Sequence, residues 1–434
     1  MRCFDVLVVG AGPGGLAAAA LAAESGGSVG LIDENPAVGG QIWRGGSPES
    51  AAWSERARAG GVTVISRARV VAAADHRLLL ETPDRAEHIG YRRLILATGA
   101  RERFLPFPGW TLPNVVGAGG LQALVKGGLP IAGKRVVVAG SGPLLLAVAG
   151  SLRRLGAQVV LIAEQTSWRR LAGFGAGLAR DPAKLAQALG MSARLRGIPL
   201  RAGCWVIAAH GNGALRSVTL RSGGRAWDQE CDYLACGFGL LPNLELPRLL
   251  GCRIERGFVW VDSAQHTSAA DVYAAGELTG IGGLDKALVE GRIAGLHATN
   301  RGLAALEHGP RRRAALAFAR RLEHAFALRP ELLRLAEEAT IVCRCEDVRY
   351  GELRRHASWR SAKLQTRCGM GACQGRICGG ATELLFGWTQ DSVRPPIVPA
   401  RLGTLIGDSG FRIQDSGFEG RDLVAETPGR SDLE

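Results

Sequence analysis

A glycine-rich turn between an apolar strand and an alanine-rich helix constrains the fold of this 434-residue chain more than any other stretch. Residues 4–34 follow the order strand, turn, helix, strand, and Gly10, Gly12 and Gly15 have the spacing GxGxxG. The first glycine permits a tight turn, the second lets a pyrophosphate approach the backbone, and the third lets the helix pack close to the strand. The pattern predicts a complete βαβ unit that binds a dinucleotide at the helix N-terminus.

An acidic residue ends the second strand of this unit. Asp33 lies 18 residues after Gly15, where a carboxylate can accept hydrogen bonds from ribose hydroxyls, and Glu34 is the second candidate. The residues that we expect at the nucleotide are Gly10, Gly12, Pro13, Gly14, Gly15, Asp33 and Glu34.

A second copy of the unit follows further along the chain, and internal repeats decide architecture. Residues 134–146 form a strand and a glycine turn, a helix runs to near Leu155, and residues 158–164 form the next strand. Gly140 and Gly142 hold the first two glycine positions, but Leu145 holds the third, and a leucine there keeps the helix further from the strand. We therefore expect a degenerate pocket in which binding of NAD(P) or another adenine nucleotide stays an open question.

Two further apolar strands end in turns of small residues. One strand ends in Ala97, Thr98 and Gly99, and the other ends in Gly276 and Glu277 before a helix at 286–297. The carboxylate after such a strand can reach a polyol chain, and the helix N-terminus after it can face a pyrophosphate. Either strand alone is equally compatible with an ordinary buried strand, so the prediction rests on their order around the two glycine turns.

Five of the ten cysteines fall within 36 residues near the C-terminus. Cys343 and Cys345 are two positions apart on an extended segment, so we expect both to face one ion. Glycines at positions 369, 371, 375 and 379 allow Cys373 and Cys378 to approach from the other side. Four thiolates suit an iron–sulfur cluster or zinc, whereas buried free thiols or a disulfide clamp are the structural alternative.

Composition narrows the compartment and the partners. No apolar run reaches the about 20 residues that span a bilayer, and a strand begins directly at the N-terminus, so we expect a cytoplasmic protein. The net charge of +13 contains only five lysines among 53 basic residues, which is typical of a compositional bias towards arginine rather than of a nucleic-acid-binding surface. The arginine-rich helix at 311–321 is either a solvated helix face or a docking surface for a partner or anionic lipid, so membrane association is at most peripheral.

Residues 4–300 resemble the two-dinucleotide-domain flavoprotein disulfide reductase superfamily, near its thioredoxin-reductase branch. The resemblance rests on the two glycine turns, Gly39-Gly40-Gln41, Ala97-Thr98-Gly99 and Ala275-Gly276-Glu277. It implies that FAD is also contacted by residues of these other motifs: Gly40, Gln41, Ala97, Thr98, Gly99, Gly276 and Glu277. Thioredoxin reductases carry Asp at the last position, and residues 1–340 contain no redox Cys-x-x-Cys pair, so we expect no disulfide reduction.

The cysteine segment resembles the [2Fe–2S] domain of bacterioferritin-associated ferredoxin (BFD) type. With residues 366–378 and Arg394-Pro395-Pro396, the whole chain resembles the FAD- and iron–sulfur-binding α subunits of heteromeric amine dehydrogenases, which include D-hydroxyproline dehydrogenase, opine oxidase and hydrogen cyanide synthase. The resemblance, and the absence of another redox centre beside FAD, favour a cluster ligated by Cys343, Cys345, Cys373 and Cys378. Cys368 stays an alternative ligand, because the smaller module elsewhere ends in Cys-x-x-Cys.

The expected fold class is α/β, with two Rossmann-like domains and a small C-terminal BFD-like domain. The resemblance implies an FAD domain at 1–112 and 243–300, interrupted by an NAD(P)-binding-like domain at 113–242. A helical linker at 301–338, the cluster domain at 339–390 and a tail at 391–434 with a polar, acidic end complete the chain.

The implied function is electron transfer within a heteromeric dehydrogenase for a secondary amine or D-amino acid. The expected partners are a small ferredoxin-like γ subunit together with a catalytic flavoprotein β subunit. We assign no catalytic residue to this chain. Two alternatives stay open: a self-contained NAD(P)H-dependent flavin and iron–sulfur reductase, and a zinc-bearing scaffold with a vestigial flavin site.

Overall fold

The computed structural model describes residues 1–179, 181–390 and 392–406. Its N-terminal segment alternates strands and helices as the first glycine motif predicts. The elements of this segment are β1 (Arg2–Val9), α1 (Pro13–Ala23), β2 (Val29–Ile32), α2 (Pro48–Ala59), β3 (Thr63–Ile65), β4 (Arg69–Ala74), β5 (Arg77–Glu81), β6 (Ala86–Leu96) and β7 (Ala100–Glu102).

The second segment repeats this alternation and adds an antiparallel layer. Its elements are β8 (Val115–Gly117), α3 (Ala118–Lys126), β9 (Arg135–Gly140), α4 (Leu144–Arg154), β10 (Gln158–Glu164), α5 (Trp168–Leu178), α6 (Pro182–Arg194), β11 (Leu200–Ala202), β12 (Cys204–Gly211), β13 (Leu215–Ser222), β14 (Arg225–Glu230) and β15 (Tyr233–Gly237).

The chain then returns to the first sheet before it enters the cysteine region. The returning elements are β16 (Leu240–Pro242), α7 (Glu245–Leu249), β17 (Ile254–Glu255), β18 (Phe258–Val259), β19 (Val272–Ala274) and α8 (Leu284–His297). The remaining elements are α9 (Gly302–Ala305), α10 (Gly309–Ala325), β20 (Ile341–Cys343), β21 (Val348–Arg349), α11 (Tyr350–Leu353), α12 (Trp359–Thr366), α13 (Cys378–Phe386) and α14 (Leu402–Ile406).

The first sheet is built from two separated parts of the chain. Strands β3, β2, β1, β6 and β19 are parallel neighbours in that order, and the β4–β5 hairpin pairs antiparallel with the first half of β6. Because β19 and α8 follow the second sheet in sequence, this Rossmann-like domain is discontinuous. The second sheet has the parallel order β11-β10-β9-β15-β8, with β12, β13 and β14 as a separate antiparallel layer. The α/β fold class is confirmed.

Helix α1 packs in the centre of the first domain because its side chains are small. All its residues from Gly14 to Ala23 are buried, and it crosses α8 at very short range. A Cβ atom added at Gly291 would lie 2.1 Å from the carbonyl oxygen of Gly14, and one added at Gly295 would lie 2.4 Å from that of Ala18. The backbones of two helices are therefore in contact directly beneath the first glycine turn.

The cysteine region forms a small unit with its own core. The β20–β21 hairpin and helices α11 to α13 enclose a cluster of buried residues: Val342, Cys343, Val348, Leu353, Ala362, Cys368, Cys378, Ala381 and Trp388. The extended stretch after it returns to the first domain, where the backbone N–H of Ile397 donates to Val71. The predicted acidic end of the tail lies outside the described residues.

No helix in the described part of the chain is both long enough and apolar enough to cross a membrane.

Candidate functional site

The first glycine turn has the geometry that a pyrophosphate site needs. Gly10 has φ +104, and a Cβ atom there would lie 2.2 Å from the carbonyl oxygen of Ala97. A Cβ atom at Gly15 would lie 1.7 Å from the carbonyl oxygen of Gly10, so only glycine allows α1 to begin this close to β1. At Gly12 the added atom would meet nothing within 4 Å, which leaves the backbone open on the side where a phosphate would approach.

Asp33 holds this turn from the end of β2. Its Oδ2 atom accepts a hydrogen bond of 2.6 Å from the backbone N–H of Ala11, and its Oδ1 atom accepts from Asn35. Asp33 is buried whereas Glu34 is exposed. A carboxylate has further lone pairs, so Asp33 can support the loop and still accept from a ribose hydroxyl.

The other sequence-predicted segments converge on the same turn. The N–H of Gly39 donates to the carbonyl of Ala11, and a Cβ atom on Gly40 would lie 2.9 Å from the Cα atom of Gly12. Gly10 packs against the start of the Ala97–Gly99 turn, and the N–H of Ala275 donates to Leu96. Gln41 is exposed, and its side-chain oxygen accepts from Arg44.

Glu277 lies in the helical turn Gly276–Thr279 that precedes α8, and its carboxylate reaches the N-terminus of α8. Its carboxylate accepts hydrogen bonds of 2.8 Å from the N–H of Gly283 and 3.1 Å from that of Gly282. Burial raises the pKa of Glu277, and the neighbouring Lys286 cation and the two backbone donors act against that rise. The side chain that we expected at a polyol chain therefore occupies helix N-terminal donors in this structure.

A buried ion pair fixes the turn that carries Glu277. Lys286 and Glu290 are each 1% exposed, and Lys286 Nζ lies 2.7 Å from Glu290 Oε2. Lys286 also donates to the carbonyl of Gly276, whose own N–H donates to Glu290. Because Lys286 bonds to the carbonyl of Gly276 and Glu290 accepts from its N–H, the pair holds the Gly276 turn from both sides.

The second glycine turn copies the first in its backbone and its acid. Gly140 has φ +145, and Glu164, at the end of β10, accepts a hydrogen bond of 2.7 Å from the N–H of Gly142. Leu145 is buried against Gly237, so the bulk at the third glycine position is accommodated by a glycine on the neighbouring strand. Glu164 is equivalent to Asp33, and its place at the end of the second strand of the repeat is the sequence signal that could have identified it.

The chain's own linker covers the second turn. Ser141 Oγ donates to the carbonyl of Phe326 at 2.9 Å, and the ring of Phe326 lies 3.8 Å from the position of a Cβ atom on Gly142. Gln165 donates to the carbonyl of Ala327 and accepts from the N–H of Arg329. The ring of Phe326 therefore lies next to Gly142, whereas the equivalent Gly12 of the first turn has no neighbour within 4 Å of the added atom. Sequence reasoning missed these contacts, because no motif marks residues 325–329.

The five clustered cysteines come together in the C-terminal unit. The sulfur atoms of Cys343, Cys368 and Cys378 all lie within 4.8 Å of one another. Cys373 is within hydrogen-bonding reach of both Cys378 and Cys345, so the five thiols form one continuous group. None of the ten cysteines is in a disulfide.

The local geometry differs from the expectation at one point. Strand β20 ends at Cys343, which is buried, whereas Cys345 is exposed and lies in the turn that follows. The prediction that both residues share one face of an extended segment is therefore wrong. Cys345 reaches the group because Gly371 allows close approach: a Cβ atom there would lie 2.2 Å from Cys345 Cβ.

The thiols perturb one another strongly. Hydrogen bonds from Cys368 and Cys378 lower the pKa of the Cys343 thiol to about 2, and the hydrogen bond from Cys378 lowers that of Cys373 to about 5. The pKa of Cys378 is raised, because it donates to these neighbours. An all-sulfur group of this kind matches a soft, thiolate-binding metal centre. Zinc and iron–sulfur chemistry both fit the donor set.

Comparison with known proteins identifies the family. Residues 4–298 match the family described as pyridine nucleotide-disulphide oxidoreductase. An opine oxidase subunit from Rhizobium meliloti is 34% identical, and the match covers 93% of this chain and 98% of the relative's length. Hydrogen cyanide synthase subunit HcnB from Pseudomonas aeruginosa is 33% identical, and the match covers 86% of this chain and 90% of the relative's length.

Solved structures share the fold. L-proline dehydrogenase from P. horikoshii superposes with a TM-score of 0.65 at 19% identity, over 93% of this chain and 79% of that chain. Thioredoxin reductase from T. acidophilum superposes with a TM-score of 0.55 at 23% identity, over 70% of this chain and 100% of that chain. The chain is an oxidoreductase of the pyridine nucleotide-disulphide oxidoreductase family, in the group of flavoproteins that includes subunits of opine oxidase and of hydrogen cyanide synthase.

Proposed function

We propose that this chain is the FAD- and [2Fe–2S]-containing electron-transfer subunit of a heteromeric dehydrogenase for a secondary amine or D-amino acid of the D-hydroxyproline or opine type. One observation carries the proposal. The cysteine unit packs directly against the β7–β16 strand pair, which continues from the Ala97–Gly99 turn, so the two candidate redox sites adjoin each other.

The residues around the first glycine turn would hold FAD. The open backbone at Gly12 and the N-terminus of α1 suit its pyrophosphate, and Asp33 suits the adenosine ribose. The turns at Thr98 and Gly276 would face the flavin and its ribityl chain. The remaining proposed contacts are Gly10, Pro13, Gly14, Gly15, Glu34, Gly40, Gln41, Ala97, Gly99 and Glu277. FAD can accept or donate two electrons, whereas a [2Fe–2S] cluster transfers one electron at a time. Because these cofactors would carry the electrons, the residues of this chain would set only the distance between the cofactors and their redox potentials.

We assign the cluster to Cys343, Cys345, Cys373 and Cys378. These four come from both halves of the cysteine unit, and the half that contains Cys373 and Cys378 faces the first domain through Arg376. Cys368 lies among them and is the alternative ligand.

The catalytic step would take place on a partner. We assign no catalytic residue to this chain, and the relatives named opine oxidase and hydrogen cyanide synthase are themselves subunits. In the proposed assembly, a flavoprotein β subunit would take the hydride from the amine, and a small ferredoxin-like γ subunit would be the third component. Electrons would then pass between the cluster and FAD of this chain and on to a quinone or another acceptor.

The covered second turn argues against a self-contained NAD(P)H reductase. Residues 325–329 occupy the entrance through contacts with Ser141 and Gln165, and the third glycine is Leu145. A nicotinamide nucleotide would have to displace this segment before it could bind. We therefore place the entry of electrons at the partner subunit.

The test is to purify the chain anaerobically, alone and co-expressed with the genes that neighbour its own. We expect FAD, iron and acid-labile sulfide in the chain alone, no bleaching of the flavin by NADH or NADPH, and amine oxidation only by the complex. Oxidation of D-hydroxyproline or an opine by the chain alone at the rate of the complex would refute the proposed role of the chain within a larger enzyme. Rapid bleaching by NADH would establish the reductase instead, and zinc without sulfide would establish a scaffold.

A further inference from the structure

A short antiparallel strand pair joins the two candidate redox sites. Strands β7 and β16 place Arg101 opposite Leu241, directly after the Ala97–Gly99 turn. On the cysteine side, a Cβ atom on Gly380 would lie 2.2 Å from the Leu241 side chain, so α13 is seated on β16. The same strand pair therefore supports the predicted flavin turn at one end and the cysteine unit at the other.

Asn243 connects this strand pair to the flavin turn through three hydrogen bonds. Its side-chain amide donates to the carbonyl of Thr98 at 2.8 Å, and its backbone N–H donates to Gly99 at 3.0 Å. The Thr98 hydroxyl donates back to the carbonyl of Asn243 at 3.2 Å. Because both the side chain and the backbone take part, a displacement of Asn243 would displace the turn.

Arg101 continues the connection into the cysteine loop. Its Nη1 atom donates to Asn243 Oδ1 at 2.9 Å, and its Nε atom donates to the carbonyl of Arg376 at 3.1 Å. Glu245 lies 3.0 Å from Arg101 and 3.6 Å from the Arg376 guanidinium, so one carboxylate attracts both cations. The Arg101 guanidinium is largely buried, and it uses the fixed fork of donors that only arginine has.

Arg376 lies between two of the proposed cluster ligands. Its backbone N–H donates to the carbonyl of Cys373 at 3.0 Å, and its side chain donates to the same carbonyl at 3.4 Å. Cys378 follows two residues later and begins α13. The carbonyl that accepts from Arg101 is thus part of the loop that presents Cys373 and Cys378.

We propose that Arg101, through Asn243 and Arg376, is the positioning residue that fixes the Cys373–Cys378 side of the cluster at the flavin turn for electron transfer. The proposal rests on the proposed function. In the step that it serves, one electron leaves reduced FAD, the reductant, and enters the oxidised cluster, the oxidant. Groups that orient metal ligands from outside the ligand set commonly change affinity or activity by about 10- to 100-fold when removed.

The experiment compares Arg101→Ala, Arg101→Lys and Asn243→Ala with Arg248→Ala in the full, cofactor-loaded chain. Arg248 is the matched control, because it also donates to a backbone carbonyl of the cysteine unit, that of Gln390, and the structure gives it no hydrogen bond to the Thr98 turn. The bound flavin is photoreduced by flash excitation of the flavin itself with EDTA as the electron donor and without a diffusing mediator, and reduction of the cluster is followed by its visible absorbance. Iron and FAD content, the flavin redox potential, the EPR spectrum of the reduced cluster and amide hydrogen exchange at residues 372–380 are measured in parallel.

We expect Arg101→Ala to retain iron, FAD and the flavin potential, to increase exchange at 372–380, and to slow cluster reduction by about 10- to 100-fold. Asn243→Ala should slow the same step without a change in the cluster EPR spectrum, and Arg101→Lys should lie between the wild type and Arg101→Ala. Arg248→Ala should stay within about twofold of the wild type.

A wild-type rate in Arg101→Ala, or equal slowing in Arg248→Ala, would overturn the proposal. If Arg101→Ala does not fold, Arg101→Lys and Asn243→Ala decide the outcome by the same criterion. A wild-type chain that holds no cluster, or whose cluster accepts no electron from the flavin, would refute the proposed function itself before any variant is compared.

Discussion

Asp33 and Glu164 perform the same task in the two halves of this chain. Each ends the second strand of its βαβ unit, and each accepts a hydrogen bond from a backbone N–H of the glycine turn and another from the residue two positions ahead. The acid therefore holds the turn in shape whether or not a nucleotide is bound. This explains how the second turn keeps its geometry although its entrance is covered.

The pKa of Glu164 gives a testable dependence on pH. Burial raises this pKa above its ordinary value of 4.5, against the opposing hydrogen bonds from Thr166 and Gly142. A carboxyl whose folded pKa is raised contributes stability that is present below its unfolded pKa and is lost as pH rises through the folded pKa. Glu164→Gln removes that dependence, so the stability of the wild type relative to the variant should fall as the pH rises above the ordinary value of 4.5.

Urea unfolding at several pH values would measure this difference. Glu323→Gln, on the exposed face of α10, controls for the loss of one negative charge. A stability difference that grows with pH would contradict the prediction.

A second prediction at the residue scale concerns Cys373 and Cys368 in the thiol group. Cys373→Ser should abolish or alter the visible and EPR spectra of the metal centre, because Cys373 is a proposed ligand in contact with Cys345 and Cys378. Cys368→Ser should leave the spectra and the metal content intact, although Cys368 lies within 4.8 Å of Cys343 and Cys378. The reverse result would assign Cys368 to the ligand set.

At the scale of elements, the crossing of α1 and α8 determines whether the first site can form. Gly291→Ala would place a methyl group 2.1 Å from the carbonyl oxygen of Gly14, so the helices must separate beneath the glycine turn. We expect a loss of about 1–3 kcal/mol in the free energy of unfolding, together with a lower FAD content per chain.

Gly190 provides the matched control for this substitution. It lies in helix α6, where an added Cβ atom meets nothing within 4 Å. Gly190→Ala should therefore stabilise the chain by about 0.4–1 kcal/mol and leave FAD content unchanged. Chemical unfolding and flavin absorbance measure both variants, and equal behaviour of the two would show that the crossing does not matter.

At the scale of the whole molecule, the linker ties the second domain to the cysteine unit. Phe326 contacts the second glycine turn, and Ala327 and Arg329 form hydrogen bonds with Gln165 beside it. The guanidinium of Arg329 stacks 3.9 Å from the ring centre of Trp205. The segment that leads to the cysteine unit therefore lies against the second glycine turn. This fixes the path of the chain between α10 and β20.

Substitutions that loosen the contacts of Phe326 and Gln165 should therefore expose the second glycine turn. We expect no NADH binding by the wild type in titration calorimetry, and faster proteolysis of the linker together with measurable NADH binding in the Phe326→Ala/Gln165→Ala variant. Phe318→Ala is the control, because Phe318 lies on α10 against Phe174 and Lys184, whereas the ring next to Gly142 is that of Phe326. Tight NADH binding by the wild type would show that the linker does not block the pocket.

The sequence alone determined the parts of this protein that depend on local sterics. The spacing of Gly10, Gly12 and Gly15 predicted the first turn, because Gly15 meets Gly10 only five positions away in the chain. The repeat of this spacing at Gly140 and Gly142 predicted the second sheet. The occurrence of five cysteines within 36 residues predicted a thiolate group. These glycine and cysteine patterns do not identify the substrate or the proposed partner subunits.

Only the tertiary structure decided which residues from distant parts of the chain are in contact. Leu145 suggested a degenerate pocket from the sequence. The contacts of residues 326–329 with the second glycine turn join residues more than 160 positions apart, so the sequence did not reveal them. The turn position of Cys345, the convergence of Cys368 with the proposed ligands, and the link from Thr98 through Arg101 to Arg376 likewise arise from side chains that meet only when separate elements pack. Such contacts have no sequence period, because packing selects them by shape and hydrogen bonding rather than by spacing along the chain.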